Sequence, residues 1–322
     1  MNQRENDLLN WCQQHYSMAA NHLTSVSGDA SFRKYYRFNT ESSDSGQAIS
    51  FIAVDAPPSQ ENNQAFFELS KLLTSHNVLV PLIEHYSISQ GFFILTDFGD
   101  QLLLDQLTPD NVDQLYTHAI DTLCQLQTLP TDSLPLYDSR LLLQEMELFS
   151  TWYLDRHRQI AIDQNVQLML DQTYTLLEQS ALQQPQVFVH RDYHSRNLML
   201  LDDNRLGVID FQDAVIGPIS YDLVSLLRDC YIDWPPHQVH QWIKAYIKQH
   251  TGEYKYTDFK RWFDLMGLQR HLKAIGIFCR LNYRDGKANY LSAIPRTLNY
   301  LVSVSEEYRE LDDFNRFLTT QL

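Results

Sequence analysis

His190-Arg191-Asp192-Tyr193-His194-Ser195-Arg196-Asn197 is followed, thirteen residues after its asparagine, by Asp210 in the run Ile209-Asp210-Phe211-Gln212-Asp213. The pattern H-x-D-x-x-x-x-N with a later acidic turn meets the requirements for moving a phosphoryl group onto a hydroxyl. One carboxylate must orient the hydroxyl and accept its proton, and hard oxygen ligands must hold Mg²⁺ against nucleotide phosphates. Asp192 suits the first task, and the Asn197 amide and Asp210 carboxylate suit the second. The flanks support this reading. Val187-Phe188-Val189, Leu198 to Leu201 and Leu206 to Ile209 are short apolar runs, and Asp202-Asp203-Asn204 is turn chemistry. Strands therefore deliver the polar residues at their ends. His190 reads as structural, bonded to backbone near the second turn, whereas His194 can shape the substrate side of the loop.

The triplet Asp97-Phe98-Gly99 also spells a metal-binding turn, but it lies far ahead of His190 and cannot be the turn that follows the loop. Its place after the strand-like Phe92-Phe93-Ile94-Leu95 suits a hinge between lobes.

The 322 residues are enough for two lobes with sizeable cores. At 44% hydrophobic and 12% aromatic, the composition argues against disorder. Lys and Arg number 25 against 40 Asp and Glu, and the net charge of −15 disfavours a general nucleic-acid binder. No run approaches a membrane span, and the polar start Met1 to Asp7 has no apolar stretch behind it, so a soluble, cytoplasmic protein is expected. Cys12, Cys124, Cys230 and Cys279 form no paired motif, which fits a reducing compartment without disulfide or zinc.

Along the chain, residues 1–22 read as an amphipathic helix, and residues 32–38, 48–54, 81–88 and 91–96 as strands, with a helix over 60–76. From Leu102 onward the pattern is mainly helical, near 110–128, 140–160, 164–183, 219–230, 236–250, 256–280 and 290–319. Strands first and helices later describe an α+β, bilobal, protein-kinase-like fold. Residues 1–98 would form a small, mostly antiparallel β N-lobe covering the nucleotide. Residues 99–322 would form a larger helical C-lobe with the catalytic loop and substrate site. The small-residue turn Val26-Ser27-Gly28-Asp29-Ala30-Ser31 is placed to lie over phosphates, with Gly28 and Ser31 as contacts. The third strand, Ile49 to Asp55, has no lysine to balance phosphate charge, so Arg33, Lys34 and Arg37 become the candidates. Period two puts Arg33 and Arg37 on one face and Lys34 on the other; the inward face stays open.

Residues 190–213, with Gly217-Pro218-Ile219-Ser220-Tyr221-Asp222-Leu223, resemble the aminoglycoside phosphotransferase-like kinases of small hydroxylated molecules. Gly28 to Arg37, Val54-Asp55-Ala56-Pro57-Pro58, Gln269 to Leu281 and Arg284-Asp285-Gly286-Lys287 are similar to one branch, the anomeric kinases of N-acetylmuramate and N-acetylglucosamine in cell-wall recycling. The resemblance implies ATP and Mg²⁺ as cofactors, a small sugar as partner, Asp192 as base, and Asn197 and Asp210 as metal ligands. It says less about sugar contacts. His194 and the helix bearing Arg270, His271, Lys273, Arg280 and Arg284 are the candidates, a guanidinium fork being suited to the lactyl carboxylate of N-acetylmuramate. The alternative for that helix is a solvated basic face or ion pairs to the acidic surface. Trp234, Trp262 and Tyr283 are candidates for ring stacking or for core. Asp222 is expected to brace the catalytic loop rather than touch substrate. Rival readings are a kinase of another alcohol, such as an aminoglycoside, choline or homoserine, and a nucleotide-binding pseudokinase.

Overall fold

The computed structural model describes residues 3–18, 22–26, 32–41, 48–250 and 254–322. The chain divides into two compact units, residues 1–102 with 199–212, and residues 103–198 with 213–322.

The first unit opens with α1 (Gln3–His15) and continues through β1 (Thr24–Ser25), β2 (Lys34–Glu41), β3 (Ala48–Asp55), α2 (Asn63–Ser75), β4 (Ile83–Ser87) and β5 (Phe92–Thr96). Its five strands form an antiparallel sheet in the order β1-β2-β3-β5-β4. Alternation in β2 and β3 explains the layering. Tyr36, Phe38, Phe51 and Ala53 face α1, where Leu8, Trp11 and Cys12 bury against them. Arg33, Tyr35 and Arg37 therefore take the other face, which settles the question the alternation left open.

The second unit runs through α3 (Leu103–Gln106), α4 (Val112–Gln127), α5 (Ser139–Leu148), a π-helical stretch (Phe149–His157), α6 (Gln164–Leu182) and β6 (Gln186–Val189). Next come β7 (Leu198–Leu200) and β8 (Leu206–Val208), which pair with each other. Leu200 N bonds to Gln101 O and Val208 N to Leu79 O, both at 2.8 Å, so residues 199–212 belong with the first unit. Where the sequence pattern placed one division after residue 98, the chain crosses between units three times.

The remainder comprises β9 (Val215–Pro218), α7 (Tyr221–Leu227), α8 (Pro236–Gln249), α9 (Tyr256–Asp285), α10 (Ile294–Ser305) and α11 (Asp312–Gln321), with 3₁₀ turns at Ala288–Ala293 and Arg309–Leu311. The thirty-residue α9 is the axis of the unit, packed against α5, α6, α7 and α10. Its apolar residues Leu268, Leu272, Ile275 and Cys279 are buried at helical spacing. Its polar Gln269, Arg270, His271 and Lys273 are buried too, so this part of the basic face is internal, whereas Arg284 near the end of the helix is exposed. Among the described residues no helix is long and apolar enough to cross a membrane.

Candidate active site

Strand β6 pairs antiparallel with β9, Val189 opposite Val215, and ends where the polar loop begins. Four anchors then hold the loop. Asp222, in the first turn of α7, accepts the backbone N–H groups of His190 at 2.6 Å and Arg191 at 3.1 Å. Asp229 accepts from the backbone N and the hydroxyl of Ser195 at 3.0 and 2.5 Å. The Tyr193 hydroxyl donates to Ala119 O at 2.7 Å, and Leu104 N donates to Ser195 O at 3.0 Å. A hydrogen bond contributes about 0.5–1.5 kcal/mol, and with two donors converging on each aspartate the pair holds the loop firmly. Arg191 needs that support: its φ of 75° is a left-handed conformation that costs a non-glycine residue about 1–3 kcal/mol. Asp222 thus braces the loop as expected. His190 Nδ1 accepts Asp192 N at 3.3 Å, which ties this histidine to its own loop.

Asp192 stands among cationic and basic side chains that the motif did not reveal. Burial alone would raise its pKa, but the charges of Lys273, His194, Arg270 and Arg191 outweigh that and hold it down to about 2. Lys273 donates to the Tyr221 hydroxyl at 3.0 Å and lies 3.4 Å from Glu145. Arg191 is ion-paired to the same Glu145, which also accepts from the Tyr137 hydroxyl. Burial opposes the ionisation of Glu145, and Lys273 and Arg191 restore it. Asn197 donates from Nδ2 to Asp192 O at 3.0 Å, so the carbonyl end of its amide is the end suited to a cation.

The acidic turn lies in the first unit. Asp210 has a φ of 63°, again left-handed, and its Oδ1 accepts Gln212 Nε2 at 2.7 Å. The next residue, Phe211, stacks on Phe66 with ring centres 5.4 Å apart, and Arg33 lies over Phe66 at 4.7 Å. Buried Arg33 also pairs with Glu61 at 3.3 Å. Tyr35 sits in the same surroundings: burial and then the Asp210 charge raise its hydroxyl pKa. Arg37 is committed to Asp97 at 2.5 Å and to Asp100 at 2.8 Å. Lys34 is exposed, and Gly28 and Ser31 lie outside the described residues. The Asp97-Phe98-Gly99 triplet is accounted for by packing. Asp97 binds Arg37 and Ser50, and the Phe98 ring occupies the space a side chain on Gly207 would need.

The other sequence candidates separate. His194 meets Tyr231 edge-on, and burial lowers its pKa. Arg270 lies close enough to Asp192 to act on its charge. His271, expected as a substrate contact, is instead a packing residue. It is fully buried, its Nε2 lies 2.9 Å from Arg228 O, and its ring stacks on Tyr300. Arg280 is half-buried ten residues beyond Arg270, roughly 15 Å along the helix, with Arg284 and Asp285 as neighbours. Trp234 donates to the Tyr116 hydroxyl at 3.0 Å within an aromatic group, and Tyr283 is exposed.

The model of a family described as phosphotransferase enzymes matches residues 22–257. This chain belongs to the phosphotransferase enzyme family. This phosphotransferase is 42% identical over 305 residues to an N-acetylmuramate/N-acetylglucosamine kinase of Pseudomonas putida, across 93% of this chain and 88% of the relative. It is 39% identical to a protein of the same name from Neisseria meningitidis, across 96% of this chain and 93% of the relative. The ADP-bound crystal structure of aminoglycoside phosphotransferase APH(2'')-Ib superposes with a TM-score of 0.63 at 15% identity, covering 92% of this chain and 98% of that one. At that identity the likeness concerns the fold, and the kinase-like architecture expected from the order of strands and helices is the one observed.

Proposed function

We propose that this phosphotransferase is an ATP-dependent kinase of amino sugars, phosphorylating the anomeric C1 hydroxyl of N-acetylmuramate and N-acetylglucosamine. The relatives at 39–42% identity support the acceptor. The observation that carries the chemistry is Asp192, ionised in a loop held at four points. A carboxylate with a pKa of about 2 is a weak base. That suits a loose transition state, in which the hydroxyl needs orienting more than deprotonating. The C1 oxygen forms a bond to the γ-phosphorus while the bond from that phosphorus to the bridging oxygen of ADP breaks. The hydroxyl proton passes to Asp192.

The residues present fit Mg²⁺. It keeps several waters and takes one or two protein oxygens together with phosphate oxygens, so it needs no all-protein cage. Among the described residues no three His, Cys, Asp or Glu side chains gather into one. Asn197 and Asp210 would hold the metal, which when bound neutralises phosphate charge. A role in reusing cell-wall sugars in the cytoplasm follows from the proposed substrates.

Incubation with ATP, Mg²⁺ and either sugar should give an anomeric phosphate signal in phosphorus NMR. Asp192→Asn should lower turnover by roughly 10²–10⁴-fold while nucleotide still binds. Absence of product with every amino sugar tested would sink this reading.

A further inference from the structure

Of the basic groups around Asp192, Arg191 and Lys273 share Glu145, and His194 is an imidazole whose pKa burial lowers. Arg270 differs. It is only 5% exposed, yet among the described residues no carboxylate lies within ion-pairing distance of it. Its hydrogen bond there runs from Nη1 to the Cys230 sulfur at 3.6 Å, and sulfur is a weak acceptor. Its remaining nitrogens are not sealed from solvent, in contrast to Nε of Arg191 and Nη1 of Arg228. Arginine is rarely buried this far without a direct ion pair, and the Asp229 and Asp192 charges act on Arg270 only from beyond ion-pairing distance.

The position is specific. Arg270 stands one helical turn before Lys273 on α9. Cys230 directly follows Asp229, the residue that grips Ser195 of the catalytic loop. Asp229 is occupied with Ser195 and with Tyr231 N at 3.0 Å, so it is not available to Arg270. A planar guanidinium that is buried, uncommitted and beside the hydroxyl-orienting aspartate matches an anionic group carried in by the acceptor.

We propose that Arg270 binds the lactyl carboxylate of N-acetylmuramate, the group that distinguishes it from N-acetylglucosamine. The inference rests on the sugar-kinase reading above and adds the residue that discriminates between the two acceptors. N-acetylglucosamine leaves the guanidinium to water, which allows its use at lower efficiency. The transferring phosphoryl group is the other anion in such a reaction, but it is common to both sugars.

The test is the ratio of kcat/KM for N-acetylmuramate to that for N-acetylglucosamine, in the wild type, Arg270→Gln and Arg270→Lys. Effects on the charge of Asp192 or on folding are common to both sugars and cancel. The ratio should fall about 100-fold in Arg270→Gln. Arg270→Lys should recover part of it, because an ammonium keeps the charge but loses the fork. Should Arg270→Gln not fold, Arg270→Lys alone must still show a lowered ratio. A ratio that stays at the wild-type value, whether both rates fall together or neither does, overturns the assignment. A wild type that phosphorylates neither sugar overturns the sugar-kinase reading itself, which the ratio among active variants does not touch.

Discussion

Asp192 keeps its charge because the surrounding basic groups, Lys273 foremost, together outweigh the burial that would neutralise it. The sign of a perturbation follows. In the proposed reaction Asp192 acts ionised, so the wild type should show no acid limb from it above about pH 4. In Lys273→Met burial gains weight, the Asp192 pKa rises, and the acid limb of kcat/KM should move up by roughly 1–3 pH units. An unchanged pH profile in a folded variant would remove Lys273 from this role. The lysine was legible only as one of several basic residues on a helix. Its selection depends on Glu145 and Tyr221, distant in sequence.

At the scale of elements, α9 and the end of α5 approach so closely that a Cβ on Gly276 would lie within 2.6 Å of the Leu148 carbonyl oxygen. The backbone cannot retreat without disturbing the start of the π-helical stretch at Phe149. Gly276→Ala should therefore destabilise the protein by about 1–3 kcal/mol, read as a lowered urea midpoint, despite the better helix propensity of alanine. A stabilised variant would show that the contact relaxes. Most elements were legible because apolar spacing is local, but breaks within helical stretches were less so. Residues 140–160 read as one helix and divide into α and π turns, since the apolar residues continue through the change. The span 290–319 divides into the end of one 3₁₀ turn, α10, a second 3₁₀ turn and α11. Pro295, in the first turn of α10, is a start signal that the reading of 290–319 as one segment did not use. The stop after Ser305 has no glycine or proline to mark it.

For the whole molecule, acid stability is a sum of opposed terms. Asp192 at about 2 and the depressed Glu145, Asp97 and Asp264 stabilise fully above the ordinary carboxylate range, and lose that contribution as pH falls through their folded values. His271, pushed down to about 3 by burial, stabilises above roughly pH 6.5 and loses this on the way to pH 3. Asp222, raised to about 7 by burial, has the opposite sign: its contribution is complete below about pH 4 and is lost as pH rises through 7. Between pH 7 and 4 His271 and Asp222 offset each other, and below that the carboxylate losses dominate. The thermal midpoint should change little from pH 7 to 5 and drop steeply below about pH 4. A steady decline starting at pH 7 would mean that Asp222 does not oppose His271.

By itself, the sequence determined the order of strands and helices, the phosphoryl-transfer motif, and the alternation separating Arg33 and Arg37 from Lys34. These are local matters of side-chain period and turn chemistry, readable without knowing what lies opposite. The tertiary structure decided which sheet face α1 covers, which unit residues 199–212 join, and which basic residues surround Asp192. Burial and pairing depend on residues such as Glu145, Asp229 and Tyr221 that are close in space and far apart in the chain, and no periodicity records that.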